Sequence, residues 1–188
     1  MLYVSYLITM KKFIKNSVVK GKLKGINIIE NSRIEEGVEI ISSHIFDSVV
    51  GENTKIGPNA HLRPNSKIGK NCRIGNFVEI KNSVVGDNTK IAHLTYVGDA
   101  KIGKGCNIGC GVVFVNYNGK EKNEIVIGNN VFIGSNCNLI APLNIPDNVY
   151  ICAGTTVTQN LNEYDFVIGR SREVIKPNRA IKYLKEIK

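Results

Sequence analysis

The chain has 188 residues, 43% hydrophobic and 22% charged, with a formal net charge of +9. It is too apolar for a disordered chain, of a length that suits one domain, and biased toward anionic partners. With 26 Ile and 19 Val against 9 Leu and 6 Ala, β-branched side chains outnumber good helix formers, which argues against a helical bundle. No stretch reaches the ~20 apolar residues of a membrane helix. Five cysteines without a CxxC pair suit neither a disulfide framework nor a zinc site.

Residues 1–25 are basic and aperiodic. The apolar stretch 2–10 is followed, not preceded, by Lys11, Lys12 and Lys15 and is interrupted by Ser5, Tyr6 and Thr9. That is poor signal-peptide chemistry, and a cytoplasmic protein is expected. Weak repeats at Ile28, Ile34, Ile40 and Ile45 come next. A strict period starts at residue 50, where an aliphatic recurs every six positions: Val50, Ile56, Leu62, Ile68, Ile74 and Ile80. The frame slips by one before Val85, Ile91 and Val97, and again before Ile102, Ile108 and Phe114. After an insertion it resumes as Ile127, Ile133, Leu139, Ile145, Ile151 and Val157.

Two residues before most of these aliphatics stands a small or β-branched residue, such as Thr54, Ser66, Cys72, Thr89, Cys106 or Cys137. Alternate residues of a strand share a face, so both columns point into one interior. Cys72, Cys106 and Cys137 then read as compact packing residues. Three residues after the aliphatic comes Asn or Gly in most repeats (Asn53, Asn59, Asn65, Asn71, Asn88, Gly105, Gly111, Asn130, Asn136, Asn148, Gly154, Asn160), as a turn with positive φ requires.

Strands this short cannot form a hairpin meander. They can wind into a parallel β-helix, a hexapeptide-repeat solenoid, expected over residues 26–170. The tail, 171–188, opens a short amphipathic helix at Pro177, with Ile181, Leu184 and Ile187 spaced by three.

A repeat of short polar outward side chains is inert, so chemistry belongs where the pattern breaks. One break is Ala92-His93-Leu94-Thr95-Tyr96, bulky where other repeats hold Gly, Asn or Lys. Histidine is a natural general base near neutral pH. A second is the insertion from Asn116 to Asn123, a loop on a rigid scaffold. A third is the pair Arg63 and Lys81. These are one coil apart and expected to stack on one face, where an anion between them would relieve their repulsion.

The motifs LRP, NFVEIKN, HLTYVGDA and NYNG, with VFIGSNCNLIAP and ICAGTTVTQN, lie in a run covering about residues 50–170. The run strongly resembles the C-terminal acetyltransferase domain of bacterial bifunctional N-acetylglucosamine-1-phosphate uridyltransferase/glucosamine-1-phosphate acetyltransferases. The resemblance implies an all-β, left-handed parallel β-helix that assembles as a homotrimer with sites between subunits. It implies acetyl transfer from acetyl-CoA to the amine of glucosamine 1-phosphate, without a metal. His93 would be the catalytic base, and Arg63, Lys81, Tyr96 and Asn107 would bind the sugar phosphate. Cys110, Asn116, Tyr117, Ser135, Ala153 and Arg170 would bind acetyl-CoA, with Cys110 where the family usually has Ala.

No counterpart of the family's nucleotidyltransferase domain is present in these 188 residues, so neither uridyl transfer nor magnesium dependence is expected. An N- or O-acetyltransferase for another sugar or sugar nucleotide, and a non-catalytic scaffold, remain alternatives. Trimeric solenoid carbonic anhydrases need three histidines per site. His44, His61 and His93 lack their close spacing. With no Trp and 7% aromatics, a nucleic-acid platform is not expected.

Overall fold

A computed structural model of the chain describes residues 13–183. It is a left-handed parallel β-helix of about nine turns, built from three parallel sheets of nine, eight and nine strands. Face 1 runs from Ile14–Lys15 to Thr156–Val157, face 2 from Val18–Val19 to Leu143–Ile145, and face 3 from Lys22–Lys24 to Phe166–Val167. The chain visits faces 1, 2 and 3 in turn, and each strand pairs in parallel with its equivalents one coil before and after. His61 pairs with His44 on one side and Glu79 on the other. Among the described residues no helix is long and apolar enough to cross a membrane.

All eighteen apolar residues of the six-residue period, seventeen aliphatics and Phe114, are buried, none more than 3% exposed. The small column lies beside them, with Thr54, Ser66 and Thr89 at 0%. Each fully buried Val, Leu or Ile contributes roughly 1.5–3 kcal/mol of transfer free energy, so the stacked column is the main source of cohesion. The buried hydroxyls and thiols of the small column donate to backbone carbonyls. Thr89 Oγ1 reaches Gly103 O at 2.9 Å and Cys106 Sγ reaches Gly128 O at 3.1 Å. Burial pushes the thiols of Cys72, Cys106 and Cys137 up from their ordinary range.

Positive φ occurs at every expected Asn or Gly turn position except Asn160, whose Oδ1 instead accepts from Asn144 N at 2.8 Å. Three bulky residues, Phe77 (φ 55), Leu94 (φ 48) and Tyr164 (φ 67), also take this conformation, and the composition of the turns gave no hint of them.

The coils reach further toward the N-terminus than the period indicated. Strands Ile14–Lys15, Val18–Val19 and Lys22–Lys24 pair with Ile28–Glu30, Arg33–Ile34 and Glu39–Ile41. Ile14, Val19 and Leu23 align with Ile29, Ile34 and Ile40. Their spacings of five and four residues hide them from a six-residue search. The interior residue of the first weak repeat is Ile29, at 0% exposure, not Ile28. A slip of one residue on a strand exchanges inside for outside. At the other end, the described part of the C-terminal helix is a single 3-10 turn, Arg179–Lys182, with no buried residue. Leu184 and Ile187 lie outside the described residues.

Candidate functional site

His93 ends the four-residue strand Lys90–His93, at the corner where face 3 turns into face 1. Its strand and the preceding Arg73–Asn76 pair through Arg73/Lys90, Ile74/Ile91 and Asn76/His93. Gly75 permits this close pairing, because a Cβ there would lie 1.9 Å from the Ala92 carbonyl oxygen. Leu94 then turns the chain with positive φ, its N–H donating to Asn76 O at 3.1 Å. Thr95, buried, donates its hydroxyl to His93 O at 2.7 Å. The His93 side chain is exposed, with Nδ1 2.5 Å from Asn76 Oδ1.

From His93 four of the acetyl-CoA candidates, Cys110, Ser135, Ala153 and Arg170, run along one edge, one per coil. Gly111 N donates to His93 O (3.2 Å), Asn136 N to Cys110 O (2.8 Å) and Gly154 N to Ser135 O (2.8 Å). Arg170 Nη1 donates to Ala153 O at 3.1 Å. His93, Cys110, Ser135 and Ala153 therefore form a line rising by about 4.8 Å per coil. Its side chains are short, and its flank is Gly109 and Gly134. A Cβ on those glycines would lie 2.6 Å from Ser135 N and 2.3 Å from Ala153 N. The edge is a line of short side chains that ends at Arg170.

Arg63 and Lys81 occupy face 1, consecutive in one outward column because Leu62 pairs with Ile80. Arg63 Nη1 donates to Glu79 Oε1 at 2.8 Å, an ion pair in which both side chains are 40% exposed. The insertion folds as a small hairpin closed by an antiparallel bridge between Tyr117 and Lys122. Its tip is tied by Asn118 Oδ1, which accepts from the N–H of Lys120 and of Glu121, both at 2.9 Å. The hairpin brings Lys122 back against Lys81, and the Lys122 ammonium holds Lys81 below the usual lysine range, with burial and Arg63 acting in the same direction. Lys122 was missed by sequence reasoning. Its only signal is a lysine in an insertion, and its pairing with Lys81 is a property of the fold.

Tyr96 stacks one coil beyond Glu79 on face 1, with its hydroxyl 3.5 Å from Asn116 Nδ2. Asn116 is buried, and its amide also donates to Asp99. Gly98 leaves the room for this contact, since a Cβ there would sit 2.4 Å from the Tyr96 hydroxyl. Tyr117 is 56% exposed, its hydroxyl donating to Gly119 O at 2.8 Å. Arg63, Lys81, Lys122, Tyr96 and Asn116 thus belong to one side of the His93 corner. Asn107 lies on the other side. It sits in the outward column of face 3, paired with Lys90 and Phe132, and one chain alone does not bring it to the Arg63–Lys81 cluster.

Among the described residues, no three His, Cys, Asp or Glu side chains converge as metal ligands. His44 and His61 are register partners with ring centroids 6.0 Å apart on face 1. Burial lowers the His61 imidazole below its ordinary range, against the opposing pull of Glu79.

Comparison with known proteins gives two family matches. Residues 45–118 match the GMPPB C-terminal domain, and residues 124–159 match the hexapeptide repeat of succinyl-transferase. Bifunctional protein GlmU of Acetivibrio thermocellus is 49% identical over 152 residues, which is 81% of this chain and 33% of that protein. The protein of the same name from Clostridium novyi is 52% identical over 166 residues, 84% of this chain and 36% of its own. The chain thus spans about a third of the length of these relatives. Among solved structures, a UDP-N-acetylglucosamine acyltransferase superimposes with a TM-score of 0.60 at 20% identity, covering 78% of this chain and 67% of its own. PerB from Caulobacter crescentus, in complex with CoA and GDP-perosamine, gives 0.53 at 20% identity over 65% of each chain. At that identity both speak for the fold alone.

Proposed function

This chain belongs to the hexapeptide-repeat acyltransferases and corresponds to a C-terminal part of the bifunctional GlmU proteins, and from that we propose that it transfers acetyl from acetyl-CoA to the amine of glucosamine 1-phosphate or a closely related amino-sugar phosphate. The observations that carry this reading are a cationic cluster on face 1, made by Arg63, Lys81 and Lys122, and a line of short side chains that rises coil by coil from His93. Arg63, Lys81 and Lys122 offer three positive charges to a phosphate. An anion there would relieve the crowding that holds Lys81 low. Cys110, Ser135, Ala153 and Arg170 offer an extended line to acetyl-CoA, with the acetyl end toward His93. The CoA bound in PerB is consistent with an acyl-CoA donor.

A sugar ammonium has no lone pair and cannot attack. His93 takes one proton from it, the free amine adds to the thioester carbonyl carbon, and the C–S bond breaks as the amide forms. The proton held by His93 passes to the departing CoA sulfur, and the second proton that the nitrogen sheds on becoming an amide leaves to solvent. General-base catalysis of this kind is worth about 10²–10⁴-fold, and the remainder comes from holding amine and thioester in register. No covalent acyl-enzyme is needed.

Because Asn107 and the Arg63–Lys81 cluster lie on different faces, the full set of candidate residues meets only if a second copy presents one face to the other. This supports a homotrimer with sites between subunits. Five free thiols suit a reducing, cytoplasmic setting.

The test is thiol release from acetyl-CoA by the purified chain, with glucosamine 1-phosphate, glucosamine and UDP-linked amino sugars as acceptors. Turnover with the sugar phosphate at least about tenfold above that with free glucosamine is expected, since the phosphate supplies the charge-assisted contacts. No acceptor-dependent release would overturn the reading. Preference for a sugar nucleotide would replace this acceptor with another.

A further inference from the structure

The His93 side chain has one side-chain partner among the described residues, Asn76 of the preceding coil, with His93 Nδ1 and Asn76 Oδ1 2.5 Å apart. An amide oxygen only accepts hydrogen bonds, so the ring nitrogen facing it carries the hydrogen and donates. The neutral imidazole is thereby held in the tautomer whose lone pair is on Nε2. The pair is held by the backbone as well as by its own bond. Asn76 and His93 are register partners, Gly75 lets the strands close, and the Leu94 turn ties its N–H to Asn76 O.

We infer that Asn76 is a positioning residue for acetyl transfer, keeping Nδ1 of His93 protonated so that Nε2 is the basic atom. This rests on the reading of His93 as the general base. The contact serves both protonation states. When Nε2 gains the sugar's proton, the Nδ1–H bond to Asn76 becomes charge-assisted and strengthens. The neutrality of the amide matters equally, because a carboxylate in its place would hold the imidazolium and withdraw the base at neutral pH. The other titratable or charged groups on the strands about the ring are Arg73 beside Asn76, Lys90 on its own strand, and Cys110 on the following coil.

The test compares wild type, Asn76→Ala, Asn76→Asp and His93→Ala as full chains, by acetyl-CoA thiol release with glucosamine 1-phosphate across pH, with melting temperature recorded on the same samples. Asn76→Ala is expected to lower kcat at least about fivefold while both KM values stay within about twofold, because binding is untouched. Asn76→Asp keeps an acceptor for Nδ1–H. It should recover most of the kcat at alkaline pH, with the acid limb of its profile moved up by about one unit. A merely structural role for Asn76 would move melting temperature and KM and leave that limb in place. A smaller loss in a stable Asn76→Ala protein, or an unmoved limb in Asn76→Asp, overturns the inference while an inactive His93→Ala leaves the base reading standing. If Asn76→Ala melts early, the limb of Asn76→Asp alone decides. If His93→Ala loses less than about tenfold, both fall together.

Discussion

At the scale of single residues, the His93 corner depends on contacts between coils that spacing along the chain shows only in part. Arg63 and Lys81 could be paired on paper because one coil separates them. Lys122 could not, because only the Tyr117–Lys122 bridge of the hairpin returns it to Lys81. Lys122→Ala is therefore expected to raise KM for glucosamine 1-phosphate about tenfold, leaving KM for acetyl-CoA near the wild-type value, as loss of one charge-assisted contact predicts. Steady-state kinetics varying each substrate in turn checks this.

His61 contributes to the acid dependence of stability. Burial depresses the His61 imidazole, so between its unfolded and folded pKa values the unfolded state binds more protons. Stability contributed by neutral His61 is present above the unfolded value of ~6.5 and is lost as pH falls through that value toward the folded one. His61→Asn should flatten the decline of melting temperature below about pH 6.5. An unchanged decline would show that other groups cause it.

At the scale of elements, periodicity was legible because each interior aliphatic is buried by the coils above and below, which repeats the same demand every six residues. It failed where the spacing contracts to four or five residues, at Val19 and Leu23, and misassigned Ile28 for Ile29 where two isoleucines are adjacent. The turns follow their composition, with Asn88 at φ 61 and Gly105 at φ 68, but Leu94 and Phe77 take the same conformation against the preference of bulky side chains. The left-handed region costs such residues roughly 1–2 kcal/mol. Asn88→Ala is thus expected to destabilise the chain by about 1 kcal/mol and Leu94→Gly to ease its own turn by a similar amount, both measured by chemical denaturation. Leu94 holds such strain directly beside His93, although Tyr164 takes the same conformation near the C-terminal end. Removing an interior rung is a larger change. Ile133→Ala should cost about 2–5 kcal/mol, because the coils on either side cannot collapse into the space.

At the scale of the molecule, the excess of Ile and Val is the interior of a nine-turn solenoid, and the Asn and Gly excess is its corners. The positive surplus is spread more widely. Lys55, Arg73 and Lys90 stand in register on the outside of face 3, and none is ion-paired among the described residues. The split of the candidate site between faces 1 and 3 could not be read from the motifs, which record which residues occur and not the direction each face points. If the site closes between copies, sedimentation should give a trimer. A strictly monomeric protein with full activity would remove that part of the account.

The central claim is that acetyl transfer takes place at the His93 corner with His93 as the base. The kcat of His93→Ala against wild type, for glucosamine 1-phosphate and acetyl-CoA, tests it most directly when both proteins share one melting temperature. The account predicts a loss of about 10²-fold or more, with KM values little changed. A stable His93→Ala protein retaining more than about a tenth of wild-type turnover would contradict it.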